Sequence, residues 1–165
     1  MLEAELVKEF CNYLTLNTAH TFHAATIHNQ NGDTGNFADI ELTTSSGELI
    51  AIEAKTHETR DAPNTVHKVF GQLLNEQRKK NEFRNAIHPS FAILIPSEVP
   101  DNPKAPRQTG KDYYQRRFQE IPTNHFHGFG VLVNAKYVFV FKRSEPQALH
   151  VYTWSGFYNN ENPIV

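Results

Sequence analysis

Residues 37–55 read FADIELTTSSGELIAIEAK, and this stretch decides the fold. Two runs rich in β-branched and other apolar residues, 37–44 and 48–55, flank the short polar segment Ser45-Ser46-Gly47. The pattern predicts a β-hairpin with a three-residue loop in which Gly47 takes the left-handed conformation.

The register of this hairpin brings charged side chains together at one end. If Thr44 pairs with Glu48, Asp39 lies opposite Glu53 with about 5 Å between their Cβ atoms. Lys55 lies two residues beyond Glu53 and therefore points to the same face of the strand. Because opposed like charges repel, a divalent cation is the expected compensation. The alternative is that these charged side chains simply face water, which is the usual meaning of such alternation.

The composition limits the class of protein. The 165 residues, 39% of them hydrophobic, predict one globular domain over residues 1–165. The net charge of −2 excludes a uniformly basic surface, so a nucleic-acid partner would need a local patch. The single cysteine, Cys11, cannot form an internal disulfide and is expected to be buried. We expect a cytoplasmic protein without a membrane partner, because no secretion signal or long apolar run is evident.

Periodicity and turn residues place the remaining elements around the hairpin. Helices are predicted over residues 2–16, 63–85 and 111–120. Further strands are predicted over residues 21–28, 91–95, 128–134, 137–142 and 148–154. Polar loops are predicted over residues 29–36 and 96–109. The expected fold class is α/β (α+β), with a central mixed sheet, an αβββαβ core and additional C-terminal strands.

The order of helix, three strands, helix and strand, with Asp39 on the second strand and Glu53-x-Lys55 on the third, resembles the PD-(D/E)xK superfamily of restriction-endonuclease-like nucleases. The resemblance covers about residues 1–96 and leaves 97–165 as a C-terminal elaboration. The sequence departs from the motif at Ala38, which stands where the family pattern has proline.

The resemblance implies a Mg²⁺-dependent nuclease that hydrolyses phosphodiester bonds, with Mn²⁺ able to substitute. DNA is favoured over RNA, in a restriction, repair or mobile-element system. Asp39 and Glu53 are expected to bind the metal together with the backbone carbonyl of Ala54. Lys55 is expected to orient the attacking water. Two further catalytic groups follow from the resemblance, Glu3 on the first helix and Gln72 on the helix after the motif strand.

Two clusters of basic residues are candidates for contact with nucleic-acid phosphates. Their members are Arg78, Lys79, Lys80, Lys104, Arg107, Lys111, Arg116 and Arg117. Tyr113 and Tyr114 lie within the second cluster, where they could stack on bases or form part of the core. Solvated helix faces are the simpler explanation of the basic residues.

Two other functions remain open from sequence. One is a non-catalytic nucleic-acid-binding or structural module that retains the nuclease-like fold. The other is an unrelated α+β protein. A homodimer is expected if both strands of a duplex are cut, because one such site cleaves one strand at a time.

Overall fold

The computed structural model describes residues 3–30 and 35–165, and within them six strands form a single sheet. The strands are β1 (Ala24–Asn29), β2 (Ile40–Thr44), β3 (Leu49–Ala54), β4 (Ser90–Pro96), β5 (Ala135–Lys142) and β6 (Ala148–Thr153). The helices in these ranges are α1 (Glu3–Leu16), α2 (Ala62–Glu76), α3 (Glu82–Ala86), α4 (Gly110–Phe118), α5 (Thr123–Val133) and α6 (Trp154–Tyr158). Residue 2 of the first predicted helix and residues 31–34 of the first predicted loop lie outside the described residues.

The sheet is mixed, and its spatial order follows the order of the strands along the chain. The first three strands form an antiparallel meander, β3, β4 and β5 run parallel to one another, and β6 is antiparallel to β5. Parallel neighbours need crossover connections, and helices supply them here. The mixed α/β (α+β) class predicted from sequence is therefore confirmed.

The hairpin between β2 and β3 has the predicted register. Leu42 pairs with Ile50 and Ile40 with Ile52. The Thr44 N–H donates to the Glu48 carbonyl at 2.9 Å. Gly47 has a φ of 93°, which is the left-handed conformation expected of the last loop residue.

Each face of the sheet is covered by helices and carries its own core. Helix α1 packs on one face, where its residues Leu6, Phe10 and Leu14 contact the apolar side chains of β2 and β3. Helices α2, α4, α5 and α6 cover the other face. Cys11 is buried in the α1 layer, as expected for a residue with a packing role. In the described residues, no helix is both long and apolar enough to cross a membrane.

The helix predicted over residues 63–85 is interrupted. Helix α2 begins at Ala62, close to the prediction, but ends at Glu76, and α3 begins separately at Glu82. The side chain of Asn81 caps α3 by accepting hydrogen bonds from the N–H groups of Phe83 and Arg84, each at 3.0 Å. The break reflects side-chain interactions that connect this segment to the sheet, and the periodicity of the sequence does not show them.

The strand predicted over residues 128–134 was wrong, because these residues belong to α5. Its buried stripe of Phe126, Gly130 and Val133 follows helical spacing. Asn134 ends the helix in the left-handed conformation with a φ of 55°. The glycines and apolar residues of this segment resemble those of a strand in sequence. In the structure they form a helix that packs against Trp154. The strands predicted over residues 137–142 and 148–154 are confirmed with small shifts as β5 and β6, and α6 was not predicted.

Candidate functional site

Asp39 lies immediately before β2, at the end of the hairpin opposite the turn. Its Oδ2 accepts a hydrogen bond from the Ala54 N–H at 3.0 Å. This contact holds the Asp39 carboxylate beside the last residue of β3. It also brings together Asp39 and Ala54, two of the three residues predicted from sequence to supply metal ligands.

Glu53 is almost fully buried, with 2% of its surface exposed. Its neighbours Ile52 and Ala54 belong to the α1 side of the core, so Glu53 points toward α2. Burial raises the pKa of Glu53 to about 10, with further contributions from the charges of Asp39 and Glu76 and from hydrogen bonds with both carboxyl groups. These effects favour the protonated form of Glu53, which lies in contact with two other carboxyl groups.

Glu76 is the site residue that sequence reasoning missed. It lies on α2 and is 1% exposed. One of its oxygens pairs with Lys79, and the other accepts from Arg84 Nη2 at 2.9 Å. A signal was present in the sequence, because Glu76 continues the apolar stripe of Val66, Val69 and Leu73 at helical spacing.

Four buried charged residues, Glu41, Glu76, Lys79 and Arg84, form what we call the ion-pair network. Arg84 connects its two carboxylates: Nε lies 2.8 Å from Glu41 Oε1, and Nη2 lies 2.9 Å from Glu76 Oε2. The network contains two cations and two anions, so its formal charge sums to zero. The network therefore has no excess cation to balance Asp39 or an ionised Glu53.

Lys55 is buried, with 5% of its surface exposed, and its N–H donates to the Leu94 carbonyl of β4 at 2.8 Å. Its ammonium lies 3.9 Å from Glu3 Oε2, which is an ion pair but too long for a hydrogen bond. Burial raises the pKa of Glu3; Asp39 adds to the rise, whereas Lys55 and Lys68 oppose it. Glu3 and Lys55 thus meet beside Asp39 at one end of β3.

Gln72, the remaining predicted catalytic residue, lies on α2 one turn before Glu76. Its Oε1 is buried and has no hydrogen-bond partner in the described parts of the chain. Lys68 lies one further turn toward the start of the helix and is close enough to Glu3 to influence its pKa. One stripe of α2 therefore carries Lys68, Gln72 and Glu76.

The alternative in which the hairpin charges face water does not describe this fold. Glu41 is fully buried, and Glu53 and Lys55 are nearly so. Burying charged groups is costly unless they are paired or neutralised. In the region of the hairpin, the ion-pair network, the proton on Glu53 and the contact between Lys55 and Glu3 supply this compensation.

The basic residues predicted to contact phosphates have different environments. Lys80, Arg107 and Arg116 are exposed, as is Arg78, whose Nε donates to Asn75 at 2.6 Å. Lys111 donates to Asn160 at 3.2 Å, and Arg117 donates to Glu120 at 3.3 Å. Lys79 is buried in the ion-pair network, so its ammonium does not face solvent as phosphate contact requires. Tyr113 and Tyr114 are also buried and belong to the core.

A cleft of about 620 Å³ opens beside the carboxylates. Asp39 and Glu3 line one part of it, and the exposed face of α1 continues the wall with Lys8 and Asn12. Solvent and small solutes can reach Asp39 through this opening.

Across residues 3–30 and 35–165, no group of three or more histidine, cysteine, aspartate and glutamate side chains is arranged to hold a metal ion. The candidate ligand set is accordingly limited to the Asp39 and Glu53 carboxylates with the carbonyl of Ala54. Both oxygens of Glu76 are already engaged by Lys79 and Arg84.

Comparisons with protein-family models, curated proteins and solved structures found no match to this chain.

Proposed function

We propose that this protein is a Mg²⁺-dependent nuclease that hydrolyses phosphodiester bonds, with DNA as the favoured substrate. The observation that carries the proposal is the contact between the Asp39 and Glu53 carboxyl groups at the end of the hairpin where Lys55 is also buried. The resemblance to the PD-(D/E)xK nucleases rests on these same three residues and on the order of the elements around them.

The charges and donor atoms of the site fit a divalent cation. The ion-pair network sums to zero, and so does the pair of Lys55 and Glu3. Ionised Asp39 and Glu53 together would carry two uncompensated negative charges, which one divalent cation balances. Mg²⁺ takes oxygen ligands and commonly uses one or two protein carboxylates, so this donor set suits it.

Asp39, Glu53 and the carbonyl of Ala54 would hold the metal. When bound, Mg²⁺ would polarise a phosphate oxygen and lower the pKa of a coordinated water. Binding requires Glu53 to lose its proton, since a carboxylate is the ligand form.

Lys55 would orient the attacking water and stabilise negative charge on the phosphate. We assign Lys55 the role of a hydrogen-bond donor to the water and the phosphate rather than that of a general base. Glu3 lies 3.9 Å from the Lys55 ammonium and supplies the opposite charge on that side of the site. Gln72 offers an unsatisfied oxygen on the adjacent face of α2.

The substrate would enter through the cleft lined by Glu3 and Asp39, because it opens on a metal-binding carboxylate. Phosphate contacts outside the cleft are proposed for Arg78, Lys80, Arg107, Lys111, Arg116 and Arg117. A dimer would allow both strands of a duplex to be cut, and we include a homodimer in the proposal on that ground alone.

The test is cleavage of supercoiled and linear DNA, and of RNA, in the presence of Mg²⁺ or Mn²⁺. We expect cleavage by the wild-type protein and none by Asp39→Ala. Lys55→Ala is expected to bind DNA and metal but lose cleavage, and Lys55→Arg should not restore it because a guanidinium differs in geometry from an ammonium.

DNA binding in Ca²⁺, measured without turnover, provides the control and should weaken with salt. Binding without cleavage by the wild-type protein would favour the non-catalytic module. Unchanged cleavage by Lys55→Ala would remove the proposed mechanism.

A further inference from the structure

We propose that Arg84 is a positioning residue for the Asp39 and Glu53 pair, which it holds from two sides through Glu76 and Glu41. This inference rests on the proposed function, because the placement of the pair matters for chemistry only if the pair binds a metal. The ion-pair network, which has no other role in the proposed mechanism, would then position the metal ligands.

The first connection runs from Arg84 through Glu76 to Glu53. Arg84 Nη2 lies 2.9 Å from Glu76 Oε2, and Lys79 engages the other oxygen of Glu76. The Glu76 carboxyl in turn contacts the carboxyl of Glu53. Because cations hold both of its oxygens, Glu76 has a fixed orientation against Glu53. We therefore infer that Glu76 positions the Glu53 carboxyl and does not bind the metal itself.

The second connection runs from Arg84 through Glu41 to the segment that carries Asp39. Arg84 donates to both oxygens of Glu41, at 2.8 Å from Nε and 3.1 Å from Nη2. Glu41 Oε2 also accepts from the Ala38 N–H at 2.9 Å, and Ala38 directly precedes Asp39. The same carboxylate therefore binds Arg84 and fixes the backbone beside the other metal-binding residue.

Lys79 strengthens this second connection, because its Nζ donates to the Phe37 carbonyl at 3.2 Å. Two consecutive residues before Asp39 are thus bound to the network through their backbone. Arg84 Nη1 further donates to the Glu76 carbonyl at 2.8 Å and fixes the end of α2. One guanidinium therefore connects the hairpin, the end of α2 and the start of the Asp39 segment.

Stability alone does not account for such a network. A buried ion pair often contributes no more than apolar residues of the same volume would, because removing its charges from water is costly. A fixed geometry for metal ligands does require partners of this kind, and losing such a partner commonly weakens metal binding by about 10- to 100-fold. A planar fork that spans two carboxylates is a property of arginine that lysine lacks.

The test is the substitution Arg84→Lys, which keeps the charge and removes the fork. Mn²⁺ and Ca²⁺ affinities are measured by calorimetry at a temperature at which the variant is fully folded. We expect about 10-fold weaker binding or more. Such a titration separates positioning from stability, because lower stability does not change the affinity of a protein that remains folded.

Arg143→Lys is the matched control. Arg143 also forms a two-pronged pair, with Glu9 at 2.8 Å from both Nε and Nη2, but it touches neither carboxylate of the site. Its replacement should leave metal affinity unchanged. An Arg84→Lys protein that loses stability but keeps wild-type metal affinity would overturn the inference, because the network would then be structural only.

Glu41→Gln serves if Arg84→Lys does not fold. The amide keeps the shape of the side chain but loses the ion pair with Arg84, so weaker metal binding is again expected and unchanged binding overturns the inference. A wild-type protein that binds neither metal would instead remove the proposed function, and the inference with it. The two failures are therefore distinguishable.

Discussion

Glu53 is the central residue of the proposed site, and its chemistry depends on its neighbours. A glutamate at the end of a strand is common in protein sequences. The alternation of apolar and polar residues along the strand would allow its side chain to face solvent. Burial and the adjacent carboxyl groups of Asp39 and Glu76 instead raise its pKa to about 10. In the proposed mechanism, a bound cation would have to displace the proton that this environment favours on Glu53.

This proton makes stability depend on pH in a defined direction. The unfolded-state pKa of a glutamate is about 4.3, well below the folded value of about 10. A raised folded pKa contributes stability that is fully present below the unfolded value and is lost as pH rises toward the folded value. The loss can reach about 1.4 kcal/mol per pH unit between these limits.

We therefore predict that Glu53→Gln has a flatter stability profile than the wild-type protein. In metal-free buffer, urea unfolding at pH 6 and pH 9 should show a smaller fall in the free energy of unfolding for the variant. The other titratable groups are common to both proteins. The difference between the two pH profiles therefore reports on Glu53. Parallel profiles would show that Glu53 is ionised in the folded protein at neutral pH.

The remaining site residues show how far sequence can identify single side chains. Asp39 and Lys55 could be placed at the same end of the hairpin because their positions follow from its register, which acts over a few residues. Glu76 could be noticed as a carboxylate on an apolar stripe, but its contact with Glu53 joins residues on different elements. The burial of Lys79 has no local signal, since a lysine beside other basic residues looks like part of a surface patch.

At the scale of elements, the hairpin and the helices were easier to predict than their ends. The turn residues and apolar alternation of the hairpin specify β2 and β3 locally. The end of α2 depends instead on Arg84, which binds Glu41 of β2 from a position 43 residues later in the chain. Long-range pairing of this kind cannot be inferred from periodicity.

Helix α5, whose residues 128–134 were predicted to form a strand, can be tested by substitution of its glycines. Gly128 is exposed, and a Cβ added there would meet nothing within 4 Å. Since alanine is favoured over glycine in a helix by about 1 kcal/mol, Gly128→Ala should stabilise the protein by up to that amount.

Gly130→Ala is the matched substitution two residues later and should have the opposite effect. A Cβ at Gly130 would lie 2.4 Å from Cδ1 of Trp154, whose indole donates to the Phe126 carbonyl at 3.1 Å. Thermal unfolding followed by circular dichroism measures both variants. Equal shifts for the two would contradict the helical packing of α5 against Trp154.

Across the whole molecule, the chain has a net charge of −2. Its buried positive and negative side chains nearly balance one another. The ion-pair network sums to zero, and so does the pair of Lys55 and Glu3. Asp39 and Glu53 are the exception when both are ionised. The sheet, α1 and α2 meet near this pair, and Asp39 lines the cleft.

Calorimetric titration with Mn²⁺ near pH 7.5 determines whether Asp39 and Glu53 together bind one divalent cation. Measurements in two buffers with different heats of ionisation count the protons released on binding. We expect one bound ion, release of about one proton because Glu53 must ionise, and loss of binding in Asp39→Ala. Absence of binding, or binding that releases no proton and survives Asp39→Ala, would contradict it.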